Sequence, residues 1–333
     1  MRLNQDKHCT KLDFEPYKEI QKIMVPSQQP VIREWQYQPE GMTAFEIPTP
    51  EKQIPSDIKG NSKKKISGAP KELALVQLSG QKKTSRELVV RKESPWYTYR
   101  RTMRCKLAGD VSIASRRNGP SQVIAIREYT KKNSARMLEY YTKFDHTNIL
   151  SAQSFYEEGD SMYALVDDLP LTLGHLVGCR FLYPTETELA LMIWQILNGL
   201  CYLSQLGFEH QSLSCQNILW GLDGVIKIAS LESCVKSSSS QRQSQHVKTL
   251  GSITMELMQK YVKDDGIIGV DDLKRWPVES HAFGFLSAIS ATNSIESLKT
   301  DSFMKVYRHS LGELVLLART VLLSAKIFYS YET

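Results

Sequence analysis

Apolar periodicity is weak over the first part of the chain and becomes regular from about Ser94 onward. Val123 to Ile126, followed by Tyr129, is an apolar run bounded upstream by Gly119-Pro120, which predicts a buried strand after a turn. Helical spacing covers Ser134 to Phe144, and strand patterns cover Ser151 to Phe155 and Met162 to Asp167. Glu186 to Gln205 carries the apolar stripe of a long amphipathic helix. Strands first and helices after predict a small sheet lobe followed by a helical lobe. The run Ser237 to Ser240 with Gln241, Gln243 and Gln245 reads as a flexible, low-complexity loop. At the end of the chain, Leu311, Leu314, Val315, Ala318, Val321, Leu322, Ala325 and Phe328 recur at helical spacing between Val306 and Tyr331. That helix is expected to pack on the helical lobe. Leu316, Leu317 and Leu323 widen its apolar arc, which leaves a partner-binding or dimerising face open, and Arg319 and Lys326 argue against a membrane span.

Composition changes this picture little. With 333 residues, 41% hydrophobic and 23% charged, the chain suits one large domain and a tail. A net charge of +6 is a mild excess that does not favour a nucleic-acid partner. Residues 1–92 hold scattered prolines (Pro26, Pro30, Pro39, Pro48, Pro50, Pro55) and a basic stretch from Lys63 to Lys92, and are expected to form a disordered or loosely ordered arm. The basic stretch suits a solvated linker better than an acidic-partner site or a nuclear address. Met1 to Thr10 lacks an apolar leader core and no run reaches the ~18 apolar residues of a span, so an intracellular, cytoplasmic or nuclear protein without membrane contact is expected. Six cysteines (Cys9, Cys105, Cys179, Cys201, Cys215, Cys234) lie far apart and read as reduced thiols without zinc.

The candidate chemistry begins at His210-Gln211-Ser212-Leu213-Ser214-Cys215-Gln216-Asn217-Ile218-Leu219, which keeps the spacing, the His, the Leu and the Asn of H-R-D-L-x-x-x-N and the apolar strand after it. Gln195 to Leu203, then Gly207 and Phe208, look like the long helix that leads into that loop. Gly224 to Ala229 resembles the strand entering D-F-G, with Ser230-Leu231-Glu232 in its place. Upstream, Ile124-Ala125-Ile126-Arg127 fits V-A-I-K, Phe144 to Leu150 fits the turn after the regulatory helix, and Gly109 to Ala114 looks like the end of a glycine-rich loop. Met162 to Leu169 fits the strand entering the hinge, with Val166 near the gatekeeper, and Ile295 to Met304 resembles the closing helix. The chain therefore resembles a eukaryotic serine/threonine protein kinase over residues 95 to 305. The fold this resemblance implies is α+β, a two-lobed kinase-like domain over 93–333. Its N-lobe would span about 93–168, its C-lobe about 169–305, and an extra C-terminal helix 306–333.

Phosphoryl transfer is mainly positioning and charge stabilisation, so the resemblance can be tested position by position. Arg127 stands where the phosphate-anchoring lysine belongs, keeping the charge but replacing a compact ammonium by a planar fork. Its partner glutamate falls at Met137, and Glu139 lies near the opposite face of the helix. Ser212 replaces the proton-accepting aspartate, and a hydroxyl is far too weak a base for that role. Ser230 replaces the metal-binding aspartate, while Asn217, the other metal position, remains. Arg104 and Lys106 align with the first two glycines of the phosphate loop, where their side chains would block close backbone approach. Ser230 and His246 stand about half as far apart as the family requires, no A-P-E lies between them, and no arginine between Trp276 and Tyr307 could pair with it.

The resemblance thus implies a pseudokinase that acts as a scaffold or allosteric partner of a protein, an active kinase or its substrate, with no catalytic residue among the degenerate positions Arg127, Met137, His210, Ser212 and Ser230. A residual nucleotide pocket would comprise Gly109, Val111, Ala125, Arg127, Val166, Asn217 and Leu219. No cofactor is required, and Mg²⁺ would reach Asn217 only with bound ATP. His210 and Asn217 suit structural roles, and Cys215 suits an inert thiol. Two alternatives stay open: a weak or atypical ATP-dependent kinase in which Asp223 or Glu232 shares the work, and a diverged relic without selected activity.

Overall fold

Strands alternate in side-chain direction, and the computed structural model of the chain uses that alternation to build a six-stranded sheet whose central strands are buried on both faces. The structure describes residues 89–119, 122–306 and 311–325, all within one unit, Gln77–Thr333. The arm expected over 1–92 lies outside the described residues except for 89–92, as does Pro120 of the expected turn. The sheet has the order β1-β5-β6-β4-β3-β2, with β1 Val90–Arg91, β2 Tyr99–Lys106, β3 Asp110–Arg116, β4 Val123–Thr130, β5 Ala152–Glu158 and β6 Ser161–Val166. All pairs are antiparallel except β1 with β5. A short helix α1, Pro95–Thr98, precedes β2, and α2, Lys131–Lys143, follows β4.

Ile124 and Ile126 of β4 pack with Ala114, Tyr156, Tyr163 and Leu165 into a cluster on one face, under Trp96 and Tyr99. Ala125 turns to the opposite face and joins Val111, Met137, Phe155, Ala164 and Val166 in a larger core that continues into the helical region. Burying each such side chain stabilises the fold by roughly 1.5–3 kcal/mol, so this shared core couples the sheet to the helices.

The second lobe opens with β7 Leu171–Thr172 and α3 Leu173–Gly178, followed by α4 Glu186–Gln205. Helix α4 begins where the pattern predicts because Thr185 and Glu188 cap it reciprocally: the Glu188 amide donates to Thr185 Oγ1 at 3.2 Å and the Thr185 amide to Glu188 Oε2 at 2.7 Å. It is buried on most sides and forms the spine of the lobe. Next come β8 Phe208–His210, a 3₁₀ turn Cys215–Asn217, β9 Ile218–Trp220, β10 Ile226–Ile228, a 3₁₀ turn Leu231–Ser233 and β11 Cys234–Lys236. Strands β7, β9 and β10 form one small sheet and β8 pairs with β11.

The remaining helices are α5 Ser239–Gln259, α6 His281–Ala291, α7 Ile295–Leu298, α8 Ser302–Val306 and α9 Glu313–Ala325. The serine- and glutamine-rich run is therefore not a loop. From Ser239 it is the first turns of α5, because Gln243 donates to Glu296 Oε2 at 2.7 Å and accepts from the Ile295 amide at 2.8 Å, while His246 and Val247 are buried. Tertiary contacts here override a composition that favours irregular chain. The closing helix expected over 295–304 is broken into α7 and α8, with the Phe303 amide bonded to Asp301. The terminal helix begins at Glu313 rather than 306, since Val306 ends α8. It packs on α3 and α4 through Leu314, Leu317, Ala318 and Val321, leaving Leu316 and Leu323 exposed. Its start crosses the β9–β10 turn at Gly224 (φ 86°), where a side chain would collide with Leu311 and Leu314. Residues 326–333 lie outside the described residues. No helix among the described residues is long and apolar enough to cross a membrane.

Candidate functional site

Strands β2 and β3 meet in a tight turn, Leu107-Ala108-Gly109, over the junction of the two lobes. Gly109 adopts φ 98°, and Ala108 adopts φ 54°, a left-handed conformation that a residue with a Cβ takes only at a cost of roughly 1–2 kcal/mol. Hydrogen bonds hold this strained turn from both sides. Arg127, on β4 and 5% exposed, donates from one guanidinium nitrogen to Ala108 O at 2.8 Å and from another to Leu107 O at 2.5 Å. From below, Ser230 Oγ lies 3.1 Å from the same Ala108 O and 3.1 Å from Asn217 Oδ1, two acceptors that share its single proton. Asn217 Nδ2 in turn donates to Ser212 O at 2.6 Å.

Arg127 thus spends its fork on backbone carbonyls. No carboxylate among the described residues stands within ion-pairing distance of it. Met137, at the position of a partner acid, is fully buried in the core, and Glu139 is exposed on the other side of α2. Above the α2 core, Tyr129 and Tyr141 share a hydroxyl contact of 2.8 Å. Burial pushes both phenols up, Arg127 pulls the other way, and the Glu232 carboxylate adds to the upward push.

The floor of the junction is built by β8, β9, β10 and their turns. His210 is buried, its Nε2 2.8 Å from Ala229 O, and burial holds its imidazole below the usual range while that carbonyl opposes the shift. It fastens the loop to β10, as a packing histidine does. Ser212 Oγ donates to Ser233 Oγ at 2.8 Å, so the hydroxyl at the base position is engaged with another neutral hydroxyl. Ser230 holds φ 52°. Its hydroxyl and the Asn217 amide oxygen, the two groups at metal-binding positions, face each other across a hydrogen bond. Val111, Ala125, Val166 and Leu219 belong to the large core, and a side chain begun at Gly109 would stand about 3.7 Å from the Arg127 guanidinium.

Gly109, Arg127 and Asn217 lie along this junction and Val111, Ala125, Val166 and Leu219 belong to the large core that runs through both lobes, but two expectations need correction. Arg104 and Lys106 are exposed, on the strand face opposite Cys105 and Leu107, so their side chains do not point into the turn. Leu107 and Ala108, both 5% exposed, are the residues of the turn that face inward, their carbonyls toward Arg127 and, for Ala108, Ser230. Asp223 is also remote: it sits in the β9–β10 turn, accepting from the Val225 amide at 3.1 Å, at the opposite end of that hairpin from Asn217. It lines a separate surface hollow of about 440 Å³ with Thr147, Asp167, Asp168, Leu169 and Lys227. Cys215 is buried, and burial, the Glu256 charge and its hydrogen bond push the thiol well above its ordinary range, as suits an inert residue. The role of Ala108 escapes a reading by motif, and a non-glycine residue beside Gly109 at the turn is its sole sequence trace.

The protein kinase domain family profile matches residues 115–265, a span that includes Arg127, Met137, Ser212, Asn217 and Ser230 but not the β2–β3 turn. The chain is 25% identical over 136 residues to rice cyclin-dependent kinase F-3, covering 39% of this chain and 31% of that protein. It is 22% identical over 206 residues to the Caenorhabditis elegans serine/threonine-protein kinase plk-2, covering 62% and 32%. It is 24% identical over 155 residues to an Aurora kinase of Encephalitozoon cuniculi, covering 44% and 55%. The aligned region thus spans about a third to a half of these relatives.

Proposed function

We propose that this chain, which belongs to the eukaryotic protein kinase family, acts by binding another protein and not by transferring phosphate. The observation that carries the reading is that the Ala108 carbonyl is met by the Arg127 guanidinium on one side and on the other by the Ser230 hydroxyl, which shares its proton between that carbonyl and Asn217. A phosphate loop must stand off the floor of its cleft to admit a triphosphate and offer it backbone amides. Here the turn is tied to roof and floor by its own carbonyl, and a carbonyl oxygen turned inward offers a phosphate no hydrogen bond.

Mg²⁺ does not suit the groups present. It favours hard, charged oxygen ligands, and the two candidates are a hydroxyl and an amide oxygen already bonded to each other. Loss of a general base alone lowers the rate by ~10²- to 10⁴-fold, and Ser212 offers no replacement. Ser212 and Ser230 find hydrogen-bond partners within the fold, and Arg127 places two of its three nitrogens on backbone carbonyls while its buried Nε has no partner among the described residues, which suits a scaffold whose partner is an active kinase or that kinase's substrate. One observation favours a weak residual activity instead: Glu232 is a carboxylate in the 3₁₀ turn that directly follows Ser230. Incubating the full chain with γ-labelled ATP, Mg²⁺ or Mn²⁺ and a generic protein acceptor tests the choice. No transfer above background is expected; transfer abolished by Asn217→Ala would overturn the proposal.

A further inference from the structure

Strand β2 is an edge of the six-stranded sheet, so its outer backbone amides and carbonyls have no strand partner among the described residues. The register places Arg101 opposite Ala114, Arg104 opposite Ser112, Lys106 opposite Asp110 and Tyr99 opposite Arg116. Ala114 belongs to the outer cluster, so Arg101, Arg104, Lys106 and Arg116 line the outer face along this edge. None of the four stands within ion-pairing distance of a carboxylate among the described residues, Asp110 included. Their crowding has a cost: burial first, and then the Arg104 charge, lower the Arg101 pKa.

We propose that the β2 edge is a docking site for an acidic segment of another protein, which adds to the sheet as a seventh strand and sets its carboxylates against Arg101, Arg104 and Lys106. The inference rests on the binding reading above and names the surface that would serve it. Cations on an edge strand repel a second copy of the same edge, which guards against self-pairing. The same charges admit a strand of opposite sign, whose backbone gains hydrogen bonds while alternate side chains meet the cations. A nucleic acid fits the edge less well. It cannot use strand hydrogen bonds, and the aromatic faces that would stack bases are taken: the Arg101 guanidinium covers the Trp96 ring at 4.0 Å, and Tyr99 packs edge-on to Tyr156 with ring centroids 6.3 Å apart.

The test uses the full chain and a fluorescent peptide of alternating Glu and Val, read by anisotropy at low and moderate salt. Binding is expected to weaken with salt and to fall at least about tenfold in Arg104→Glu/Lys106→Glu, both exposed positions. Lys132→Glu/Lys248→Glu, a matched charge change at exposed sites on α2 and α5, is expected to leave it within about twofold. The same peptide with alternate backbone amides methylated along its pairing edge keeps its charge but cannot add as a strand, and is expected to bind at least about tenfold more weakly. Absence of peptide binding, equal binding by the methylated peptide, or tighter binding of an oligo-dT strand at the same salt would each overturn the docking site. None of these results bears on phosphoryl transfer, so the docking site and the non-catalytic reading fail separately.

Discussion

Replacing Arg127 by Met removes the guanidinium that holds the β2–β3 turn while keeping a long apolar stem in the core. Two charge-assisted hydrogen bonds are lost, each contributing about 1.5–3 kcal/mol, and Leu107 O is left without the donor it has in the native fold. Part of this is offset, because a buried cation without an acidic partner carries a desolvation penalty that the variant escapes. Ala108 O also keeps Ser230. The net expectation is a loss of about 2–4 kcal/mol, read as the shift in an equilibrium urea unfolding curve at constant slope. Hydrogen exchange adds a local reading, since the Leu107 amide bonded to Gly109 O at 2.9 Å should lose protection in the variant ahead of α4. A change below about 0.5 kcal/mol, or greater stability than the parent, would refute the role given to Arg127 as the tether of the turn.

Ser230 supplies a second perturbation: Ala and Gly both remove its hydroxyl bonds, but only Gly relieves φ 52°, so Ser230→Gly should be more stable than Ser230→Ala by about 1 kcal/mol, and equal stabilities would contradict the backbone assignment. Lys260 Nζ donates to Leu176 O at 2.8 Å and Leu182 O at 2.5 Å, and burial lowers its pKa to about 8 from the ordinary 10.5. The unfolded chain therefore binds more protons than the native one between those values. Stability relative to Lys260→Met should rise as pH climbs from about 8 toward 10.5, by no more than about 3 kcal/mol and less after solvent screening. A flat difference across that window would refute the buried cation. Among the described thiols, alkylation at pH 8 followed by peptide mapping should label the half-exposed Cys105 in the native state, with Cys215, Cys201 and Cys234 labelled only on unfolding.

Much of the fold is legible in the sequence where local and global preferences agree. The limits of α4 follow from an apolar stripe that ends at Gln205 and from caps that the structure supplies, and β4 follows from its apolar run. The loop from His210 to Leu219 is legible because its spacing places His210, Ser212 and Asn217 in fixed relation on the floor. Two features escape. The start of α5 is written in serine and glutamine, residues with no apolar signal, and only the distant partners of Gln243 make it helical. The hydrogen bonds that hold the β2–β3 turn use backbone carbonyls of Leu107 and Ala108, which no side-chain motif reports. Arg127 and Ser230 are recognisable as substitutions, but their bond to a shared carbonyl is visible only in three dimensions.

The proposal that the junction does not admit a nucleotide is tested most directly by thermal unfolding of the full chain with and without ATP, each with and without Mg²⁺. A ligand at a hundred times its dissociation constant adds about 2.7 kcal/mol to the native state, which in a domain of this size raises Tm by about 5–10 °C. A single cooperative transition unmoved by nucleotide is the predicted result. A Mg²⁺-dependent rise of that size would mean that the turn at Ala108 opens to admit a triphosphate, and would contradict the account.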